Sequence, residues 1–190
     1  VSRTQKDLSA VRSALEQFCR IAPVYMIFGN HDQSLPEEKR RELLRAIAES
    51  GAVLLRNDSI SVNIRGRSMN IHGLEPSYST YKKNDSYRDL DVITLADMER
   101  LLGKCPEGEN LLIAHNPFFG EVYAEWGADY IMSGHIHGGA VRIFGVTSFT
   151  RAPVFPEKFK GDLHDRQGKA ACFGRAWKAK AVQSARDSDL

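Results

Sequence analysis

"VYMIFGNHD" occupies residues 24–32. Five apolar residues in a row, following Pro23, read as a short buried strand. The polar cluster Asn30-His31-Asp32 follows at once, introduced by Gly29. A buried strand that runs out this way delivers polar side chains to the end of a sheet. The pattern recurs twice: "NLLIAHNP" (110–117) ends in His115-Asn116, and "DYIMSGHIHGG" (129–139) ends in His135 and His137. Four of the six histidines therefore sit at strand ends.

Working outward, residues 4 to about 20 place Leu8, Val11, Leu15 and Phe18 at helical spacing. Ser34 and Glu37 have capping-box spacing, with Pro36 in the first turn. The helix they open should bury Leu43, Leu44 and Ile47 and stop at Gly51. "AVLLRND", "ISVNIRG" and "SMNIHGLE" then read as a three-strand meander. Residues 75–93 are polar and turn-rich, a long loop. "TLADMERLLG" is a capped helix, and "AVRIFGV" a further strand. Short apolar strands alternating with helices indicate an α/β fold.

Composition narrows the function classes. With 190 residues, 42% apolar and 26% charged, the chain is an ordinary globular protein able to bury a sizeable core. Its formal net charge of +2 indicates no nucleic-acid partner. Cys19, Cys105 and Cys172 are far apart and fit neither a disulfide framework nor a thiolate zinc site. No signal or transmembrane segment is visible, so a cytoplasmic or membrane-peripheral location is expected.

His135 and His137 have period-two spacing beside Gly134, Gly138 and Gly139, so both can point the same way from extended backbone. Taken alone, such a pair is more often a turn with two hydrogen-bonded histidines. Strand ends in α/β folds gather functional groups, however, so the three clusters can converge. Imidazole nitrogens with amide or carboxylate oxygens suit zinc, manganese, iron or similar divalent ions. His72 is isolated and reads as a sheet histidine. Phe118-Phe119 and Trp126 read as core or pocket wall, with the pair placed to contact an apolar substrate group. Lys39-Arg40-Arg41 reads as a solvated helix face.

"GNHD" (29–32), "AHNP" (114–117) and "GHIHGG" (134–139), in that order, resemble the calcineurin-like metallophosphoesterases. "GGAVRIFG" further resembles the bacterial subgroup that includes membrane-associated phosphohydrolases. The resemblance covers residues 1 to about 145 and implies an αββα sandwich with two divalent ions at the strand ends. It implies that Asn30, His115 and His135 hold one ion and His137 the other. A hydroxide held by the two ions would attack a phosphate ester, more often a diester. His31 would serve the leaving group, and Asp32 would orient His31 and raise its pKa.

The family's D-x-H and G-D-x-x-D motifs do not precede "GNHD" here. The domain is therefore expected to be incomplete at its N-terminus, and the chain alone inactive or a non-catalytic metal- or phosphate-binding remnant. An interaction module with structural histidines is the third reading. "KGDLHDR" (160–166) overlaps both missing motifs, but one Asp cannot fill both, and the stretch reads as a polar loop. The expected division is a metallophosphoesterase domain over 1–150 and an atypical tail over 151–190. That tail is a loop plus a basic amphipathic helix carrying Phe173, Trp177 and Ala181, suited to a membrane surface.

Overall fold

The computed structural model describes residues 7–135, 141–143, 146–148 and 176–178. Helix α1 (Ser9–Ile21) leads to strand β1 (Tyr25–Met26), the single turn α2 (Asn30–Gln33), helix α3 (Glu37–Ser50) and strand β2 (Val53–Leu54). Next come the strands β3 (Asp58–Ile64) and β4 (Arg67–Leu74), a 3-10 turn (Tyr78–Thr80) and helix α4 (Leu95–Leu102). Strand β5 (Glu109–Ala114), a second 3-10 turn (Pro117–Phe119), helix α5 (Gly120–Trp126) and strand β6 (Tyr130–Met132) follow. Strands β7 (Val141–Ile143), β8 (Val146–Ser148) and β9 (Ala176–Lys178) complete the described elements.

β1 and β2 pair in parallel, while the larger sheet has the order β3-β4-β5-β6-β9. In that sheet β4, β5 and β6 are mutually parallel, and β3 and β9 flank them antiparallel. The register of β3 and β4 leaves Arg65-Gly66 as a two-residue loop, both at positive φ as such hairpins require.

Two apolar cores explain the layering. Leu8, the N-cap of α1, and Leu15 within it pack with Leu43 and Ile47 of α3 and with Phe28 over the small sheet. Met98 of α4 and Tyr123 and Trp126 of α5 pack with Leu74, Leu112 and Ile131 of the large sheet. The two sheets meet at Gly73 on β4, where a Cβ would fall 2.3 Å from Leu55 Cβ and 2.9 Å from Ile27 Cγ2. Only a residue without a side chain lets the layers approach so closely. The α/β architecture is thus a sandwich of two sheets with helices outside each.

Several local expectations change. The three-strand meander is a two-strand hairpin: β2 belongs to the other sheet. Asn57, at φ 54°, turns the chain between sheets instead of closing a hairpin. Its amide grips the backbone of Glu75, with Nδ2 donating to Glu75 O at 2.9 Å and Oδ1 accepting its N–H at 2.8 Å. The guanidinium of Arg56 clasps the Glu75 carboxylate through Nε at 2.6 Å and Nη2 at 2.9 Å. The capping box of Ser34 and Glu37 does not form. Pro36 is the N-cap of α3, and Ser34 Oγ donates to His31 O, closing the preceding turn. Gly51 ends α3 in the left-handed region as expected, and Thr94 and Asp97 cap α4 reciprocally. In the tail, residues 176–178 form strand β9 against β6, not helix. A free sheet edge satisfies their backbone groups where an isolated helical turn would not. The rest of the expected helix lies outside the described residues.

Candidate metal and phosphoester site

The parallel strands β5 and β6 end on the same edge of the large sheet. β5 is followed directly by His115, and β6 by Ser133, Gly134 and His135. Across the layer boundary, "GNHD" folds as the N-cap and first residues of α2. Asp32 Oδ2 accepts the Gly29 N–H at 2.9 Å, tying the end of that turn to its start. This bond presents Asn30 and His31 together beyond the end of β1.

Asn30 Oδ1 lies 3.1 Å from His115 Nε2, joining residues 85 positions apart. The imidazole is walled by backbone on both sides. A Cβ at Gly29 would lie 2.9 Å from its Cε1 and Nε2, and one at Gly134 3.0 Å from its Nδ1. Gly29 has φ −92°, so the requirement there is space, not backbone freedom. Gly134 N–H also donates to His115 O at 3.2 Å, fixing the loop after β6 against the loop after β5.

His135 adopts φ 62°, the left-handed region that non-glycine residues enter at a cost of order 1 kcal/mol. Its ring centroid then lies 5.3 Å from that of His115, edge-on. Asn30, His115 and His135 are thus brought together. His31 is exposed on the same turn as Asn30. His137 and the "GDLHD" stretch lie outside the described residues. Asp32 acts on the turn that carries His31, through the backbone of Gly29.

Tyr81 carries no sequence signal that marks it for the site. It is buried, with its ring 5.9 Å from His115 and 5.2 Å from His135. Its hydroxyl has no hydrogen-bond partner among the described residues. Burial, with the nearby charge of Glu75 second, pushes the phenol well above its ordinary pKa, so it stays neutral. Asn116, grouped with His115 in the sequence reading, is structural. It is buried, and its Oδ1 accepts the Phe118 N–H at 3.0 Å. Its carbonyl receives the Tyr123 hydroxyl at 2.9 Å. Burial of that phenol raises its pKa too, so it remains a donor.

These donors fit a divalent ion. Two ligands about 2.1 Å from one ion lie roughly 3.0–3.4 Å apart, depending on coordination geometry, and the 3.1 Å Asn30–His115 separation falls in that range. Among the described residues no three His, Cys, Asp or Glu side chains gather as a metal cluster. What gathers is one amide oxygen and two imidazoles, enough for part of one coordination sphere.

The family model for calcineurin-like phosphoesterases matches residues 1–139. The chain belongs to that family. It is 29% identical over 141 residues to the uncharacterised metallophosphoesterase YkoQ of Bacillus subtilis, a match covering 73% of this chain and 46% of that protein. The uncharacterised protein YpbG of the same organism is 29% identical over 121 residues, covering 63% and 40% respectively. The phosphodiesterase YaeI of Escherichia coli is 25% identical over 158 residues, covering 83% and 52%. The chain thus spans about half the length of these curated relatives. No solved structure matches it significantly. Among the described residues no helix is long and apolar enough to cross a membrane.

Proposed function

We propose that the protein hydrolyses phosphate esters, preferentially diesters, at a two-ion centre to which this chain contributes Asn30, His115 and His135 for one ion and His137 for the other. The observation that carries this reading is the meeting of Asn30, His115 and His135 from three separate strand ends. Neutral ligands leave the full charge of the ions available to a phosphate anion. When bound, two such ions supply an activated water and neutralise the phosphoryl oxygens. Manganese, iron and zinc all suit this donor set.

The chain's own residues do the rest. Asn30 and His115 would hold one ion jointly, and they are anchored to different sheets. His31, exposed beside Asn30, donates a proton to the departing alkoxide or stabilises its charge. Asp32 holds the turn that aims both. Asn30, His115 and His135 all lie within residues 1–150, which form the hydrolase domain, and β9 of the tail completes the edge of its large sheet.

The test is turnover of an aryl phosphodiester with added manganese, by this chain and by the chain extended upstream. We expect weak turnover by the first and robust turnover by the second. In the extended protein, His31→Ala should cut turnover strongly while sparing metal affinity, and His135→Ala should weaken metal binding itself. Equal metal loss in both variants would make His31 a ligand. A second reading is a metal or phosphate binder without turnover. An extended protein that binds manganese but leaves the ester intact would select it.

A further inference from the structure

The two phenylalanines after His115 part company. Phe119 turns inward onto the core beneath α5, with its ring 6.4 Å from that of Tyr123. Phe118 points out and is 40% exposed. Its ring stands edge-on to His135, 6.1 Å between centroids. The turn that carries it is held rigidly. Pro117 is buried, Asn116 caps the Phe118 N–H, and the Tyr123 hydroxyl anchors the Asn116 carbonyl from the core. Rigid buried scaffolding thus ends in one solvent-facing aromatic ring beside a site histidine. Burying that ring would be the favourable outcome for folding alone, whereas a fixed apolar ring beside convergent polar groups is how ligand sites select shape.

We infer that Phe118 is a specificity-determining residue that packs against a flat aromatic ring on the organic side of the phosphate ester. The inference rests on the phosphoester reading of the site and names its substrate class. With the phosphate at Asn30, His115 and His135, the ester oxygen projects within reach of a ring that already touches His135. An aromatic group on that oxygen gains ring-to-ring contact there, and a small alkyl group does not. Offset or edge-on ring pairs of this kind are worth about two- to tenfold in affinity.

The test is calorimetric titration of the manganese-loaded 190-residue chain with phenyl phosphate and with methyl phosphate, carried to millimolar concentration. Wild type should bind phenyl phosphate about fivefold more tightly. Phe118→Ala should abolish that preference while leaving methyl phosphate affinity unchanged, and Phe118→Tyr should restore it. Equal affinities in wild type, or a preference that survives Phe118→Ala, would overturn the inference and leave the phosphoester site standing. Binding of neither phosphate would overturn both.

Discussion

His72 lies within β4 and His115 directly follows the adjacent parallel strand β5, yet they occupy opposite kinds of surroundings. His72 is buried within β4, with Nδ1 2.7 Å from Ser59 Oγ and Nε2 3.1 Å from Asn110 Oδ1. Trp126 meets its ring edge-on at 5.0 Å. Asn110 is itself saturated, donating to Pro106 O at 2.9 Å and Gly108 O at 3.0 Å. Each polar atom there answers another from the same sheet or its loops. His115 instead faces an amide from the other sheet, is flanked by two glycines, and has a second imidazole beside it. The first histidine is enclosed by the fold. The second is held where two layers open toward solvent.

The largest effects should separate these histidines cleanly. His72→Ala removes a buried ring and its packing against Trp126, so a stability loss of about 2–4 kcal/mol is expected by urea denaturation. Its metal affinity should stay near wild type. His115→Ala should show the reverse, with manganese affinity falling on the order of a hundredfold or more by calorimetry and stability changing by about 1 kcal/mol or less. Coupled losses in both variants would erase the distinction between the two regions.

Gly29→Ala comes next, because its new Cβ would press on the His115 ring. The expected result is roughly tenfold weaker manganese binding, since displacing a ligand resembles losing its support. Unchanged affinity would show that the ring moves freely.

A smaller effect concerns pH. Burial lowers the pKa of His72 below its ordinary value of 6.5, outweighing the hydrogen bond its Nε2 makes to Asn110 Oδ1. A depressed folded pKa means that the unfolded chain binds the proton more readily. The stability that neutral His72 contributes is fully present above 6.5 and is lost as pH falls through its lower folded value. His72→Gln should flatten the stability curve of the chain over that acidic window, and an unaltered slope would count against the closed environment described for His72.

The smallest change should come from Tyr81→Phe. The buried hydroxyl lacks a partner among the described residues, so its removal should leave stability equal or raise it by up to about 1 kcal/mol. Manganese affinity should also hold, since the ring contacts with His115 and His135 remain. A marked loss of metal binding would assign the hydroxyl a role at the site.

Much of this was readable in the sequence, for definable reasons. Apolar runs ending in polar residues marked the strands before Asn30, His115 and His135, because burial and termination are both local signals. His72 could be set aside because it lies inside a strand pattern with no polar outlet. Tyr81 could not be found, since its loop position carries no periodicity and only tertiary folding brings it under the two imidazoles. Nothing local places β2 in the other sheet, because a hairpin turn at Asn57 and a crossing between sheets have the same sequence signal. The crossing depends on Glu75, 18 residues away. Four-residue apolar spacing predicts helix at residues 176–178, whereas pairing with the edge of β6 makes them strand.

The most direct measurement is anomalous diffraction from a crystal of the manganese-loaded protein. We expect one ion within about 2.0–2.3 Å of Asn30 Oδ1, His115 Nε2 and an imidazole nitrogen of His135. An ion bound elsewhere with these three side chains left uncoordinated, or no ion at millimolar manganese, would contradict the site.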